Sequence, residues 1–74
     1  MSKTPIVSAH EVLRALAKLG YSEARQKGSH VRLHSSGRAP VTVPMHNPVA
    51  PGTLRSVLKT VGISVDEFVE LLRG

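Results

Sequence analysis

The sequence predicts an α+β fold in which a three-stranded antiparallel sheet carries helices on one of its two faces. Apolar residues recur at helical spacing before residue 20 and after residue 52, whereas the segment between them alternates apolar and polar residues as strands do. Two S-x-x-E motifs mark helix starts, and glycines mark helix ends. The 74 residues suffice for one small domain, 1–74, with the element order α-β-β-β-α-α.

The first helix is predicted over residues 8–19. Ser8 and Glu11 have the spacing of a capping box, in which each side chain accepts a hydrogen bond from the backbone of the other residue. Gly20 follows as the residue that can end the helix in a left-handed conformation. One apolar face results, formed by Val12, Leu13, Leu16 and Leu19.

Three strands are predicted between residues 21 and 43. Tyr21–Lys27 is a weak strand with little alternation, and Gly28 and Ser29 supply a turn. His30–His34 alternates, so that its apolar residues point to one face and His30, Arg32 and His34 to the other. Residues 35–39 are expected to form a loop. Val41–Val43 lies between two prolines, which favours an edge strand.

Two further helices are predicted, over residues 52–61 and 64–73, after a proline-rich loop at 44–52. Ser64 and Glu67 form a second capping box, and Gly62 ends the helix before it. Helices on both sides of the meander in the sequence can pack on its apolar face and leave the polar face open. This arrangement is that of the double-stranded-RNA-binding type of α+β sandwich.

The charge distribution favours an anionic partner. The net charge is +5, and no acidic residue lies between Glu23 and Asp66. That stretch contains six basic residues: Arg25, Lys27, Arg32, Arg38, Arg55 and Lys59. A polyanion could approach such a surface without meeting a negative charge, and His30 adds a group that can transfer protons near neutral pH.

Composition excludes several other classes. The chain has no cysteine and no apolar run near the ~20 residues of a membrane-spanning helix, so we expect a cytoplasmic protein without a membrane partner. Its two aromatic residues are too few for a surface that binds RNA by base stacking. His30 and His34 are about 13 Å apart along a strand, too far to share a metal, and no carboxylate completes a site between them. We therefore expect neither a metal nor another cofactor.

Several blocks of sequence resemble the HicA family of toxins, the small mRNA-cleaving partners of HicB antitoxins. They are Arg25-Gln26-Lys27-Gly28-Ser29-His30, Val41-Thr42-Val43-Pro44, Gly52-Thr53-Leu54-Arg55-Ser56-Val57-Leu58, Gly62-Ile63-Ser64, Glu67-Phe68 and Leu71-Leu72. The resemblance extends from Ser8 to Leu72. One departure is Val31, where many members carry a second histidine.

The resemblance implies a metal-independent endoribonuclease that cleaves mRNA and is neutralised by a HicB-type antitoxin. It implies that His30 is the essential catalytic residue, which would take the proton of a ribose 2′-hydroxyl as a general base. Together with the charge pattern it assigns RNA binding to six residues: Arg25, Lys27, Gly28, Ser29, Arg32 and Arg38.

Two alternatives remain open at the level of sequence. The protein could be a non-catalytic RNA-binding module, with His30 as an ordinary surface histidine. It could also be a protein-interaction domain whose basic face binds an acidic partner.

The role of His46 is open as well: it is either a general acid near His30 or a loop histidine.

Overall fold

The computed structural model describes residues 3–74 and contains six elements in the predicted order. The helices are α1 (Ala9–Ala17), α2 (Pro51–Val61) and α3 (Val65–Arg73), and the strands are β1 (Ser22–Lys27), β2 (His30–Ser35) and β3 (Arg38–Pro44). The strands form one antiparallel sheet in the order β1-β2-β3. The predicted α+β architecture of the double-stranded-RNA-binding type is confirmed.

The sheet has one covered face and one open face. Val31 and Leu33 of β2 are buried, while His30, Arg32 and His34 between them are exposed. The buried face packs on the helices, with α2 against β3 as the main helix–sheet contact. The core consists of side chains from this face, from the helices and from their connections, with Phe68, Leu16 and Leu54 its largest fully buried members.

Both predicted capping boxes are present. The Ser8 hydroxyl accepts from the Glu11 N–H at 3.1 Å, and the Ser8 N–H donates to the Glu11 carboxylate at 2.8 Å. The hydrogen bond from the Ser8 N–H favours the ionised carboxylate and is the largest cause of the lowered pKa of Glu11. Ser64 and Glu67 repeat the arrangement at the start of α3. Two of the three helix starts are therefore fixed by local hydrogen bonds that the S-x-x-E motifs predict.

The hairpin between β1 and β2 closes with a two-residue turn at Gly28 and Ser29. Gly28 has φ of 59°, a conformation that side chains other than glycine's rarely adopt. A glycine at the first turn position matches the type II′ hairpin, whose twist suits the flanking strands. The turn makes Lys27 and His30 the closing pair of the hairpin.

The loop between β3 and α2, predicted without an assignment, is held to the start of α1. The Asn47 side-chain oxygen accepts from the Ala9 N–H at 2.8 Å, and the Val49 N–H donates to the Val7 carbonyl at 2.8 Å. Val49 is also buried in the core. The loop thus fixes how the chain leaves β3 and where α2 begins.

Candidate active site on the open sheet face

A shallow depression of about 320 Å³ lies on the open face, and five side chains from the three strands line it. They are Arg25 and Lys27 of β1, His30 and Arg32 of β2, and Thr42 of β3. Four of the five had been predicted from the sequence as catalytic or RNA-binding residues. The structure brings these four together, and it adds Thr42.

Strand register explains why these side chains converge. His30 is opposite Lys27, and Arg32 is opposite Arg25 on one side and Thr42 on the other. Side chains directly opposite each other on one face of an antiparallel pair have Cβ atoms about 4.5–5.5 Å apart. Residues two apart along a strand, such as His30 and Arg32, are about 6–7 Å apart. A single phosphate group fits within this spacing.

Arg32 is held by a hydrogen bond across the sheet. Its Nη1 donates to the Thr42 hydroxyl at 3.1 Å. Because Arg32 is exposed, this contact orients the guanidinium more than it adds to stability. The sequence contained the signal for Thr42: it is the outward-facing residue of the alternating Val41–Val43 segment.

His30 is exposed on the central strand, one residue after the turn. Ser29, the residue before it, is half-buried and accepts a hydrogen bond from the Met45 N–H at 2.6 Å, which ties the turn to the end of β3. A Cβ atom placed on Gly28 would meet no other atom within 4 Å, so the turn backbone is open to a ligand. His30 therefore sits on a fixed backbone with its ring accessible.

The site has a positive electrostatic environment. Glu23, the acidic residue nearest in sequence, pairs with Leu33 and belongs to the face opposite His30. Among residues 3–74, no group of three histidine, cysteine or acidic side chains is arranged to hold a metal ion. The charged groups around His30 are thus three cations, Arg25, Lys27 and Arg32.

Arg38 does not join the depression, although the sequence predicted it as an RNA-binding residue. Its Nη1 donates to the Val61 carbonyl at the C-terminal end of α2, at 2.9 Å. One extra residue in β3 causes this: Leu33 pairs with Val41, but Ser35 pairs with Arg38. A β-bulge of this kind interrupts the alternation of side chains, and it sends Arg38 to the helix side.

Two further histidines also lie outside the depression. His34 shares the open face with His30 but is opposite Ser22, at the far end of the β1–β2 hairpin. His46 is an exposed residue just after β3 and is not one of the lining side chains. The histidine that the structure surrounds with cations is His30.

The comparison with known families decides what kind of protein this is. A family model described as the HicA toxin of bacterial toxin–antitoxin systems matches residues 9–63, which span the elements from α1 to α2. The chain belongs to the HicA toxin family. No curated protein matches the sequence.

Membership of the HicA toxin family makes this protein a toxin with an antitoxin partner. The matched residues contain all five side chains that line the depression. Across residues 3–74 the structure has no helix with the length and apolar character that a membrane span requires.

Proposed function

We propose that this HicA-family protein is an endoribonuclease that cleaves mRNA, with His30 as its catalytic residue. The observation that carries the proposal is the position of His30, accessible and flanked by Lys27, Arg32 and Arg25 on a face without carboxylates. A histidine among cations suits a substrate that is itself an anion and must lose a proton to react.

The proposed reaction begins with proton transfer. Neutral His30 accepts the proton of a ribose 2′-hydroxyl, and the resulting oxygen attacks the adjacent phosphorus. As the new bond forms, the bond from phosphorus to the 5′ oxygen of the next nucleotide breaks. The products are a 2′,3′-cyclic phosphate and a 5′-hydroxyl, whose oxygen takes up a proton from water. General base catalysis of this kind contributes roughly 10²- to 10⁴-fold.

The cations stabilise the charge that develops on the phosphate oxygens. Arg32 is the strongest candidate because its guanidinium is oriented by Thr42 and can donate two parallel hydrogen bonds. Lys27, opposite His30, supplies a point charge on the other side of the same phosphate. Arg25, opposite Arg32, contacts the RNA backbone one step further on. Gly28 and Ser29 allow the RNA to approach the turn closely.

The reaction as proposed needs no metal or other cofactor. The 2′-hydroxyl is an internal nucleophile, so no bound water has to be activated. Recognition rests on phosphates, 2′-hydroxyls and shape, because the only aromatic side chains, Tyr21 and Phe68, are both in the core.

The antitoxin is proposed to be of the HicB type and to cover the open sheet face. An acidic partner on that face would cover His30 and occupy the surface that RNA must bind. Such inhibition requires no change in the toxin's fold.

The test is cleavage of mRNA by purified protein, wild type beside His30→Ala, with thermal melting as the folding control. His34→Ala is the matched control, since His34 is exposed on the same face but outside the depression. We expect His30→Ala to lose at least about 10²-fold in rate, His34→Ala to stay near wild type, and EDTA to have no effect. Near wild-type cleavage by folded His30→Ala would refute the assignment. RNA bound but left uncut by the wild type would favour a non-catalytic RNA-binding module.

A further inference from the structure

A second depression, of about 270 Å³, wraps around the free edge of β3 and reaches the exposed side of α2. It shares Arg32 and Thr42 with the depression at His30, so the two form one continuous path across the sheet edge. The hydrogen bond between these two side chains marks the junction.

Four residues of α2 line this second depression, and all but Val57 carry a hydroxyl group. Thr53, Ser56 and Thr60 all line it, and their spacing places them on one helix face over about 10 Å. Serine and threonine are weaker helix formers than alanine, lysine or glutamate, so helix stability does not account for three of them in one row. Each hydroxyl can donate one hydrogen bond and accept two, which suits both phosphate oxygens and ribose hydroxyls. No residue of α2 is acidic.

The β3 side of the depression offers a backbone group. The Met45 N–H points toward the β2 side of β3, where it donates to the carbonyl of Ser29 in the turn before β2, and Pro44, opposite His30, has no N–H. Backbone directions alternate along a strand, so the N–H and carbonyl of Thr42 point away from β2, toward the free edge of β3. Pro40 and Pro44, two residues to either side of Thr42, have no N–H, so Thr42 offers the single backbone donor on this part of the edge. Pairing with an added β-strand is therefore disfavoured, and the edge suits a ligand that needs few backbone contacts.

We infer that this hydroxyl-lined groove binds the ribose and phosphate of the nucleotides that flank the scissile bond on one side. The inference rests on the proposed function. It defines a path for the RNA across the surface, from His30 past Arg32 and Thr42 to the hydroxyl groups of α2. Arg32 contacts the phosphate at the junction, and the hydroxyls of Thr53, Ser56 and Thr60 bind the next nucleotides along the path.

The test is a triple variant, Thr53→Val, Ser56→Ala and Thr60→Val, which removes the hydroxyls with little change of shape. Ser36→Ala, an exposed hydroxyl in the β2–β3 turn, is the matched control, and thermal melts check folding. The substrates are RNAs with one cleavage site, extended by one to three nucleotides on either side of it.

We expect wild-type kcat/KM to rise more with nucleotides added on the side that reaches α2 than with nucleotides added on the other side, where Arg25 supplies a single contact. The triple variant should lose at least about tenfold of the gain on the α2 side while cleaving the shortest substrate like wild type, since a single lost hydrogen bond is worth up to about a factor of ten and three hydroxyls are removed. An unchanged gain in the triple variant would overturn the inference. So would unchanged RNA binding combined with weakened antitoxin binding, which would make the groove a protein-docking site.

A binding assay with non-cleaved RNA on the His30→Ala protein separates this inference from the proposed catalysis. If the wild type cuts no RNA but the triple substitution still weakens RNA binding about tenfold, the catalytic proposal is refuted and the assignment of the groove as an RNA-binding site is supported. If the protein binds no RNA at low salt, both proposals are refuted.

Discussion

Glu23 and Arg25 lie two residues apart in β1 but belong to opposite faces of the sheet. In a regular strand they would share a face, because side chains alternate with a period of two. Ala24 is an extra residue here: Glu23 pairs with Leu33, whereas Arg25 pairs with Arg32, the very next residue of β2. The bulge keeps a carboxylate off the face that contains His30 and puts a guanidinium on it.

This relationship predicts that two charge changes of equal size will differ in effect. Arg25→Gln should weaken binding of a non-cleaved RNA and reduce the slope of log affinity against log salt by about 0.7, the value for one contact to a single strand. Glu23→Gln should change both by little, since it removes a charge from the other face. The measurement is a salt titration of RNA binding on the His30→Ala background. Equal and opposite changes in RNA affinity for the two variants would mean that RNA binding depends only on the net charge of the protein.

Arg38 provides a second case in which a bulge decides the role of a cation. Its hydrogen bond to the Val61 carbonyl satisfies one of the acceptors left over at the end of α2, and a positive charge there is favourable to the helix dipole.

We therefore expect Arg38→Ala to lower the free energy of unfolding by about 0.5–1.5 kcal/mol and to leave RNA affinity unchanged. Chemical denaturation and RNA titration measure the two effects on the same protein. Arg25→Ala is the matched comparison, with the opposite expectation: weaker RNA binding and little loss of stability. A large drop in RNA affinity for Arg38→Ala would return Arg38 to the interface, as the sequence alone predicts.

Features that depend on local hydrogen bonding and on periodicity were predictable from the sequence. Ser8 and Ser64 located two helix starts because their capping boxes involve residues three apart. The predicted end of α1 at residue 19 was two residues late. Lys18, Leu19 and Gly20 instead donate to carbonyls three residues back, in a tighter turn than an α-helix has.

The sequence could not place the sheet irregularities, and these decide the composition of the site. The third strand was predicted as Val41–Val43 but runs from Arg38 to Pro44, because backbone pairing continues where the side-chain pattern stops. Pro40 was a usable signal, since prolines inside strands tend to lie at edges and bulges. For Ala24 no signal exists, because nothing about alanine distinguishes a bulged residue from a regular one. The position of Arg25 beside Arg32 is a property of the register alone.

Stability should depend strongly on the contact between α2 and the sheet. Leu58 is buried in the core, and truncating a buried leucine removes its contacts and leaves a cavity. We expect Leu58→Ala to lower the free energy of unfolding by about 2–5 kcal/mol, a large share for a domain of this size. Ile6→Ala is the matched control, because Ile6 is 69% exposed and should change stability by less than about 0.5 kcal/mol. Similar losses in the two variants would contradict the described core.

The antitoxin should compete with RNA for the open face. If a HicB-type antitoxin covers Arg25, Lys27, His30 and Arg32, the cations that attract RNA will also attract the acidic surface of the antitoxin, and the association rate will fall as salt is added. The experiment uses the His30→Ala toxin in a preformed complex with its antitoxin, into which a non-cleaved RNA is titrated while bound antitoxin is measured. We expect RNA to displace the antitoxin. Arg25→Ala should weaken the binding of both RNA and antitoxin. Arg14 is exposed on α1, and Arg14→Ala should weaken the binding of neither. Simultaneous binding of RNA and antitoxin would show that inhibition acts from another surface, such as the helices.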